Sequence, residues 1–584
     1  MKKLMLGNEA IARGAYEAGV TVATAYPGTP STEITESIAK YHEVYAEWSP
    51  NEKVALEVAI GSSIGGARAL CSMKHVGLNV AADPLFTVSY TGINGGLVIV
   101  VADDPGMHSS QNEQDSRRYA KAAKIPMLEP SSSQECKEFV KEAYEISERF
   151  DCPVIIRLST RIAHSQDIVE INERCKCDIK DYIKDINKYV MVPAIAKVRH
   201  IKVESRMNKL VSFSESSQLN NIEWGKRNIG IISSGIAYQY AREVFKDVSY
   251  LKIGMVYPLP REIIERFANK VEELYVIEEL EPFIEEYIKE LGIKVIGKEV
   301  LPMVGELNSE IINNSFSSKK PTVNKKIAKD IIARPPAMCP GCPHRGIFYV
   351  LKKLKLNVSG DIGCYSLGAL LPLRSIDSCI CMGASIGIAH GMEKARGTEF
   401  INRTVAILGD STFIHSGITG LIDIVYNKGN STVIILDNAV TAMTGYQSNP
   451  TTGYNIKNEA TKKVELEKLC RAVGVERIKV VDPFNVDEVE SVVKEEIAAC
   501  EPSVIIARRE CERIKEHKSK AIPLKVNQSK CVKCRKCLEI GCPCICIEDE
   551  DIVVNKSLCI GCKLCMNICK MDAFEEDGDV NEEY

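Results

Sequence analysis

Residues 404–411 read Thr-Val-Ala-Ile-Leu-Gly-Asp-Ser, and residues 432–438 read Thr-Val-Ile-Ile-Leu-Asp-Asn. Each is a short apolar run that stops on a carboxylate. Runs of this length, rich in β-branched residues and separated by an amphipathic stretch, predict buried strands of a parallel sheet. Val504–Arg508 supplies a third strand of the same kind. The rhythm recurs toward the N-terminus in Val20–Tyr26, Gly96–Ala102 and Pro153–Arg157, with a helix-like Asn8–Gly19 segment before the first. It returns in Ile229–Gly235, Lys252–Tyr257 and Leu274–Glu278. A chain of 584 residues is too long for one core. The reading is α/β and multidomain, with parallel sheets flanked by helices in blocks at 1–180, 225–310 and 337–512 and a small α+β module at 525–580. The lysine-rich stretch 176–227 lacks clean periodicity and reads as linker plus excursion. Residues 313–336, rich in Asn, Ser, Lys and Pro, read as a second linker, and 515–530 as a basic connector.

Composition narrows the class. Hydrophobic content of 45% and charged content of 26% are those of an ordinary globular protein. A net charge of −4 points away from nucleic acid. Gly7-Asn8-Glu9 ends the N-terminal apolar run too early for a signal peptide, and no run of 18 apolar residues predicts a membrane span. Twenty-three cysteines without a signal imply a reducing cytoplasm and metal ligation rather than disulfides.

Ten of those cysteines fall between Cys531 and Cys569, spaced Cys531-x2-Cys534-x2-Cys537-x4-Cys542-Pro543 and Cys559-x2-Cys562-x2-Cys565-x3-Cys569. Three cysteines at such intervals wrap one face of an iron–sulfur cube. In two-cluster ferredoxins the fourth ligand comes from the other run. The expected sets are Cys531, Cys534, Cys537 and Cys569 on one [4Fe–4S] cluster, and Cys559, Cys562, Cys565 and Cys542 on the other. The four-residue gap before Cys542 leaves Cys544 and Cys546 as alternatives. CxxC pairs also suit structural zinc, but the doubled triplet favours clusters, and electron transfer with them.

Leu408-Gly409-Asp410-Ser411 and Asp437-Asn438 both lie at strand ends, where parallel sheets collect ligands. Gly409 admits a phosphate close to the backbone, and Asp410 and Asn438 offer the oxygen ligands that Mg²⁺ prefers. A strand-ending turn and a helix cap are the plainer use of such residues.

The pair resembles the thiamine diphosphate motif, Gly-Asp-Gly followed by Asn-Asn, with Ser411 and Asp437 as departures. By that resemblance Asp410, Asn438 and the Val440 carbonyl hold Mg²⁺. Tyr26-Pro27-Gly28-Thr29-Pro30-Ser31-Thr32 resembles the pyrimidine-domain signature of 2-oxoacid:ferredoxin oxidoreductases, which implies cofactor contacts from Tyr26, Pro27 and Thr29. Leu56-Glu57-Val58-Ala59 resembles the segment with the cofactor-activating glutamate. A carboxyl group flanked by apolar residues suits proton exchange with the pyrimidine, whereas a solvent-facing helix position is the ordinary place for a glutamate. Cys339-Pro-Gly-Cys342-Pro-His344 and Gly363-Cys364 are similar to a segment that binds a further cluster near thiamine in relatives. Cys470 is the candidate for a fourth ligand there; without one, Cys339 and Cys342 shape the diphosphate pocket instead.

The order of blocks is similar to the alpha subunits of indolepyruvate ferredoxin oxidoreductases: pyrimidine-type domain, transketolase C-terminal-like domain, diphosphate-type domain, two-cluster ferredoxin. The resemblance spans essentially the whole chain. It implies oxidative decarboxylation of an arylpyruvate with coenzyme A, giving an aryl-acetyl-CoA, CO2 and reduced ferredoxin. It also implies thiamine diphosphate, Mg²⁺ and two [4Fe–4S] clusters as cofactors. By the same resemblance a beta subunit, in an α2β2 assembly, is expected to complete the enzyme. Another 2-oxoacid (pyruvate, a branched-chain acid or 2-oxoglutarate) is the alternative substrate, and an electron-transfer subunit with a decayed thiamine site is the alternative role.

Overall fold

The computed structural model describes residues 1–316, 336–514 and 522–577, and the chain divides into two compact units, Met1–Lys329 and Asp330–Tyr584. In the first unit the strands are β1 (Lys2–Leu6), β2 (Val22–Ala25), β3 (Tyr45–Trp48), β4 (Ala69–Lys74), β5 (Leu97–Asp103), β6 (Met127–Leu128), β7 (Val154–Ser159) and β8 (Gln166–Glu170). After them come β9 (Asn221–Glu223), β10 (Lys226–Ser233), β11 (Val248–Lys252), β12 (Met255–Tyr257) and β13 (Glu273–Ile277). A seven-stranded sheet runs β12-β6-β7-β5-β4-β2-β3, parallel except for β12 at its edge. Every residue of β4, β5 and β7 is buried, as a parallel sheet covered on both faces requires. A four-stranded sheet, β13-β10-β11-β9, packs beside it, and Ile99, Val101, Ile264, Phe267 and Val276 belong to one continuous core.

Two sequence expectations are corrected in this unit. Lys252–Tyr257, expected as one strand, is split between the two sheets: β11 ends at Lys252 and β12 begins at Met255. The crossing is made at Gly254, whose N–H bonds both the Leu219 carbonyl and Asn220 Oδ1, and where a side chain would strike the Leu219 carbonyl. The stretch expected as an aperiodic linker contains a 24-residue helix, Pro193–Ser216. Its buried stripe includes Arg199, Val203, Arg206, Met207 and Leu210. The guanidinium groups donate to the carbonyls of Ser89, Tyr90, Thr91 and Asp151, so two of the inward positions are cationic and break the apolar pattern. Most of the expected 313–336 linker lies outside the described residues, as does much of the 515–530 connector.

The second unit is built on β14 (Asn357–Gly360), β15 (Ser378–Cys379), β16 (Thr404–Gly409), β17 (Thr432–Asp437), β18 (Arg477–Val481) and β19 (Ser503–Arg508). They form an all-parallel sheet in the order β15-β14-β16-β17-β19-β18. The cysteine-rich module adds two antiparallel pairs, Leu524–Val526 with Phe574–Glu576 and Ile545–Glu548 with Asp551–Val554. It does not hang free. Ile540, Ile552, Leu564 and Phe574 share one core with Ile347, Phe348, Ile434 and Val489 of the sheet layer. Buried Arg345 donates to the carbonyls of Ile540 (3.0 Å), Gly541, Cys339 and Met338, tying the module to the helix His344–Leu354.

Arg345→Ala leaves those four carbonyls without their shared donor, at a cost of about 3 kcal/mol. The variant is expected to melt several degrees lower and to release a C-terminal fragment sooner under limited proteolysis. An unchanged melting curve would show that the hydrophobic core alone holds the module.

Candidate active site and cluster sites

Register positions the first group of residues. Gly409 of β16 pairs with Leu436 of β17, so Asp410 and the Asp437-Asn438 pair leave the sheet side by side on its carboxyl edge. Asp410 is buried. Its Oδ2 accepts from Thr451 Oγ1 (2.7 Å) and Asn449 Nδ2 (3.2 Å). Burial, reinforced by nearby Asp437, pushes its pKa up to about 6. The Asn438 side-chain amide lies 3.2 Å from Asp410 Oδ1 and 2.8 Å from the Val440 carbonyl. With its nitrogen toward them the amide donates to both, and a cation held by Asp410 and the Val440 carbonyl would draw the amide oxygen in its place. An octahedral cation with bonds of about 2.1 Å sets neighbouring ligand oxygens about 3 Å apart, so the donor set and its spacing fit Mg²⁺. Ala439, at φ 57°, turns the Val440 carbonyl inward.

Both departures from the motif have partners. Asp437 is ion-paired with Arg508 Nε at 2.7 Å, and Ser411 Oγ accepts from Thr441 Oγ1 at 3.0 Å. A π-helical turn, Phe413–Gly417, follows Asp410 and carries buried His415. Sequence reading gave no sign of it.

In the first unit the Tyr26–Thr32 segment leaves the carboxyl end of β2. Tyr26 and Pro27 are buried and Thr29 partly so, its carbonyl accepting from Ser109 Oγ at 3.2 Å. Glu57 does not sit in the apolar setting expected for it. Its side chain is 43% exposed and ion-paired with Lys53 one turn earlier on the helix Glu52–Ile64. Glu52, in the first turn of that helix, is 4% exposed and packs against Gly77. Asn51 caps the helix by accepting from the Val54 N–H (2.9 Å), and Thr24 of β2 holds it through the Ala55 carbonyl (2.7 Å). The missed signal was this cap, which fixes the following carboxylate at the sheet edge.

The cysteines fall into three groups. Cys531, Cys534, Cys537 and Cys569 line one cavity with Val526, Ile552, Ile568 and Phe574. Cys542, Cys544, Cys559, Cys562 and Cys565 line another, walled by Leu524, Ile540, Ile545 and Leu564. Each triplet is thus joined by a cysteine from the other run. Cys546 turns away toward Glu548. Cys544 shares this cavity with Cys542 and Cys559, and its thiol holds the pKa of each down. The third group is Cys339, Cys342, Cys364 and Cys511, close enough for their charges to interact, with burial pushing Cys342 up to about 12 and Cys364 to about 11. Cys470 is not among them. It is buried in a separate core with Leu421, Leu466 and Val475.

Comparison with known proteins agrees with this division. Residues 13–227 match the family described as pyruvate flavodoxin/ferredoxin oxidoreductase, thiamine diphosphate-binding. Residues 361–507 match the C-terminal binding domain of thiamine pyrophosphate enzymes, and residues 552–575 a 4Fe-4S binding domain. Indolepyruvate oxidoreductase subunit IorA of Archaeoglobus fulgidus is 39% identical over 97% of this chain and 96% of its own length. The protein of the same name from Pyrococcus horikoshii is 40% identical over 93% and 92%. The chain belongs to the family of indolepyruvate oxidoreductase subunits. A 2-oxoglutarate synthase subunit KorA from Archaeoglobus fulgidus is more distant, 23% identical over 48% of the chain. Like its family, this oxidoreductase subunit carries thiamine diphosphate-binding domains and iron–sulfur clusters. Among the described residues no helix is long and apolar enough to cross a membrane.

For this oxidoreductase subunit the cysteine groups give a direct expectation. Under anaerobic purification Cys511→Ser is expected to lose about four irons, whereas Cys470→Ser and Cys546→Ser lose none. Iron analysis and electron paramagnetic resonance of the reduced proteins check it. Full iron content in Cys511→Ser would remove that residue from the third group.

Proposed function

We propose that this chain is the thiamine diphosphate-bearing, catalytic subunit of a cytoplasmic enzyme that oxidatively decarboxylates arylpyruvates such as indolepyruvate. Coenzyme A takes the acyl group and ferredoxin the electrons, and a second subunit completes an α2β2 assembly. One observation carries the reading: an oxygen cluster suited to a diphosphate-bound cation lies in the same compact unit as three groups of cysteines. A cofactor that decarboxylates and one-electron centres that drain the product belong together only in an oxidoreductase. The names of the relatives support the aryl substrate over pyruvate, branched-chain acids or 2-oxoglutarate.

Asp410, Asn438 and the Val440 carbonyl are assigned to Mg²⁺, with Gly409 and Ser411 beside the diphosphate. Tyr26, Pro27 and Thr29 are assigned to the pyrimidine side. The bound cofactor supplies an electron sink for the carbanion left by decarboxylation. Its activation requires a carboxyl group that exchanges a proton without competition from water, and burial supports Glu52 rather than Glu57 for that task. The eight cysteines of the C-terminal module are assigned to two [4Fe–4S] clusters, and Cys339, Cys342, Cys364 and Cys511 to a third.

The deciding experiment is a panel of 2-oxoacids with the reconstituted complex, coenzyme A and viologen. Arylpyruvates are expected to exceed pyruvate and 2-oxoglutarate at least tenfold in kcat/KM; the reverse order would reassign the substrate. Absence of thiamine diphosphate from the purified chain would favour an electron-transfer role instead.

Two variants test the residues. Asp410→Ala is expected to lose thiamine diphosphate while keeping its iron, because a charged ligand no longer bridges protein and diphosphate. Glu52→Gln is expected to keep the cofactor but lose about 10²–10⁴ in turnover, whereas Glu57→Gln stays within a few-fold of wild type. Cofactor occupancy and C2 hydrogen exchange separate binding from activation, and the opposite ranking of the two variants would restore Glu57.

A further inference from the structure

Lys74 is the last residue of β4, and only 9% of it is exposed. An ammonium group has three protons to donate. Here a single hydrogen bond is made, to the Ser109 carbonyl at 2.8 Å, and among the described residues no carboxylate lies within ion-pair distance. The other buried lysine among them, Lys137, pairs with Glu17 at 3.7 Å and donates to the Glu170 carbonyl. Asp104, the carboxylate that acts most strongly on its charge, is spent elsewhere. It accepts from Ser109 N (2.8 Å), Ser110 Oγ (2.7 Å) and Thr160 Oγ1 (2.8 Å). Burying a cation with two unmet donors is costly unless something else completes it.

Its surroundings say what kind of anion fits. The Lys74 stem runs along Gly28, where a Cβ would stand 3.3 Å from it, so the glycine of the Tyr26–Thr32 segment clears a path for this side chain. The Ser109 loop covers it from the carboxyl end of β5, and Glu52 and Asp104 are close enough to act on its charge. Two nearby carboxylates would repel a phosphate dianion more than a monoanion. The position is the carboxyl edge of the parallel sheet, where ligands collect.

We propose that Lys74 binds the substrate's carboxylate. The proposal rests on the function proposed above and adds a residue that holds a 2-oxoacid by its acid end. Burial brings the ammonium pKa down to about 8. The free enzyme therefore loses this charge as pH rises through that value, and carboxylate affinity falls with it. The titratable groups that face it are Asp104, Glu52 and, next in the chain, His75.

The holoenzyme complex with Lys74→Met and Lys74→Arg tests this. In Lys74→Met, KM for the arylpyruvate is expected to rise about 10- to 100-fold, the weight of one charge-assisted hydrogen bond. KM for the matching arylacetaldehyde, which lacks the carboxylate, and for coenzyme A is expected to stay put. Lys74→Arg is expected to remain within a few-fold and to lose the decline in kcat/KM above pH 8. Calorimetry with an unreactive 3-arylpropanoate is expected to show binding to wild type and not to Lys74→Met. An unchanged arylpyruvate KM in Lys74→Met, an equal rise for the aldehyde, or a rise confined to coenzyme A overturns the assignment. If the wild-type complex turns over no 2-oxoacid, the proposed function fails by itself, and propanoate binding then decides Lys74 alone.

Discussion

Parallel strands end on a common edge, and the chemistry of this chain hangs on that constraint. In the second unit it sets Asp410 beside Asn438 because β16 and β17 run in register. In the first it brings together the Tyr26 segment, Lys74 and Asp104, from the ends of β2, β4 and β5. Residues far apart in sequence become neighbours without a special device. The same constraint fixes the helix that presents Glu52, since Thr24 of β2 bonds the Ala55 carbonyl inside it.

Buried charge divides into two kinds. Arg117 is held by Asp115 and Glu278, and Arg157 by Asp103 and Glu129, all in the interior of the first unit. Those groups are neutralised where they stand: Arg157 ties neighbouring strands of the larger sheet, and Arg117 joins the two sheets through Glu278. Asp410 and Lys74 differ. The carboxylate lies beside the turned-in Val440 carbonyl with no cationic side chain among the described residues paired to it, and the ammonium has one acceptor for three protons. Incomplete satisfaction of a buried ion is what a binding site shows before its ligand arrives.

Much of this was legible in the sequence, for reasons that are local. The apolar runs of β5, β16 and β17 announce themselves because both faces of each strand are covered. The doubled cysteine triplets carry their own pairing. What was not legible depends on distant partners. The arginine-striped helix Pro193–Ser216 has no apolar period because carbonyls of another segment receive its guanidinium groups. Cys511 reaches Cys339 and Cys364 only after β19 returns to the sheet edge. Glu57 has apolar sequence neighbours, yet on a helix those neighbours point elsewhere, and burial falls to Glu52 five residues earlier.

The three cysteine groups also have an order. The backbone N–H of Cys511 donates to the Asn438 carbonyl at 3.1 Å, so the third group is one hydrogen bond from a residue of the oxygen cluster. Pro340 and Gly341, between Cys339 and Cys342, line the cavity that holds Cys542, Cys559, Cys562 and Cys565. At Gly341 a Cβ would strike Ile560, so glycine lets these two groups close up. Arg345 clamps the same junction through carbonyls on both sides. The last group, around Cys531, is joined to the second by the crossed contributions of Cys542 and Cys569. A path therefore runs in short steps from the edge of the sheet, through each set of sulfurs, to the exposed thiol of Cys534. On the proposed function, this succession of cysteine groups is the route by which electrons from the sheet edge reach the surface.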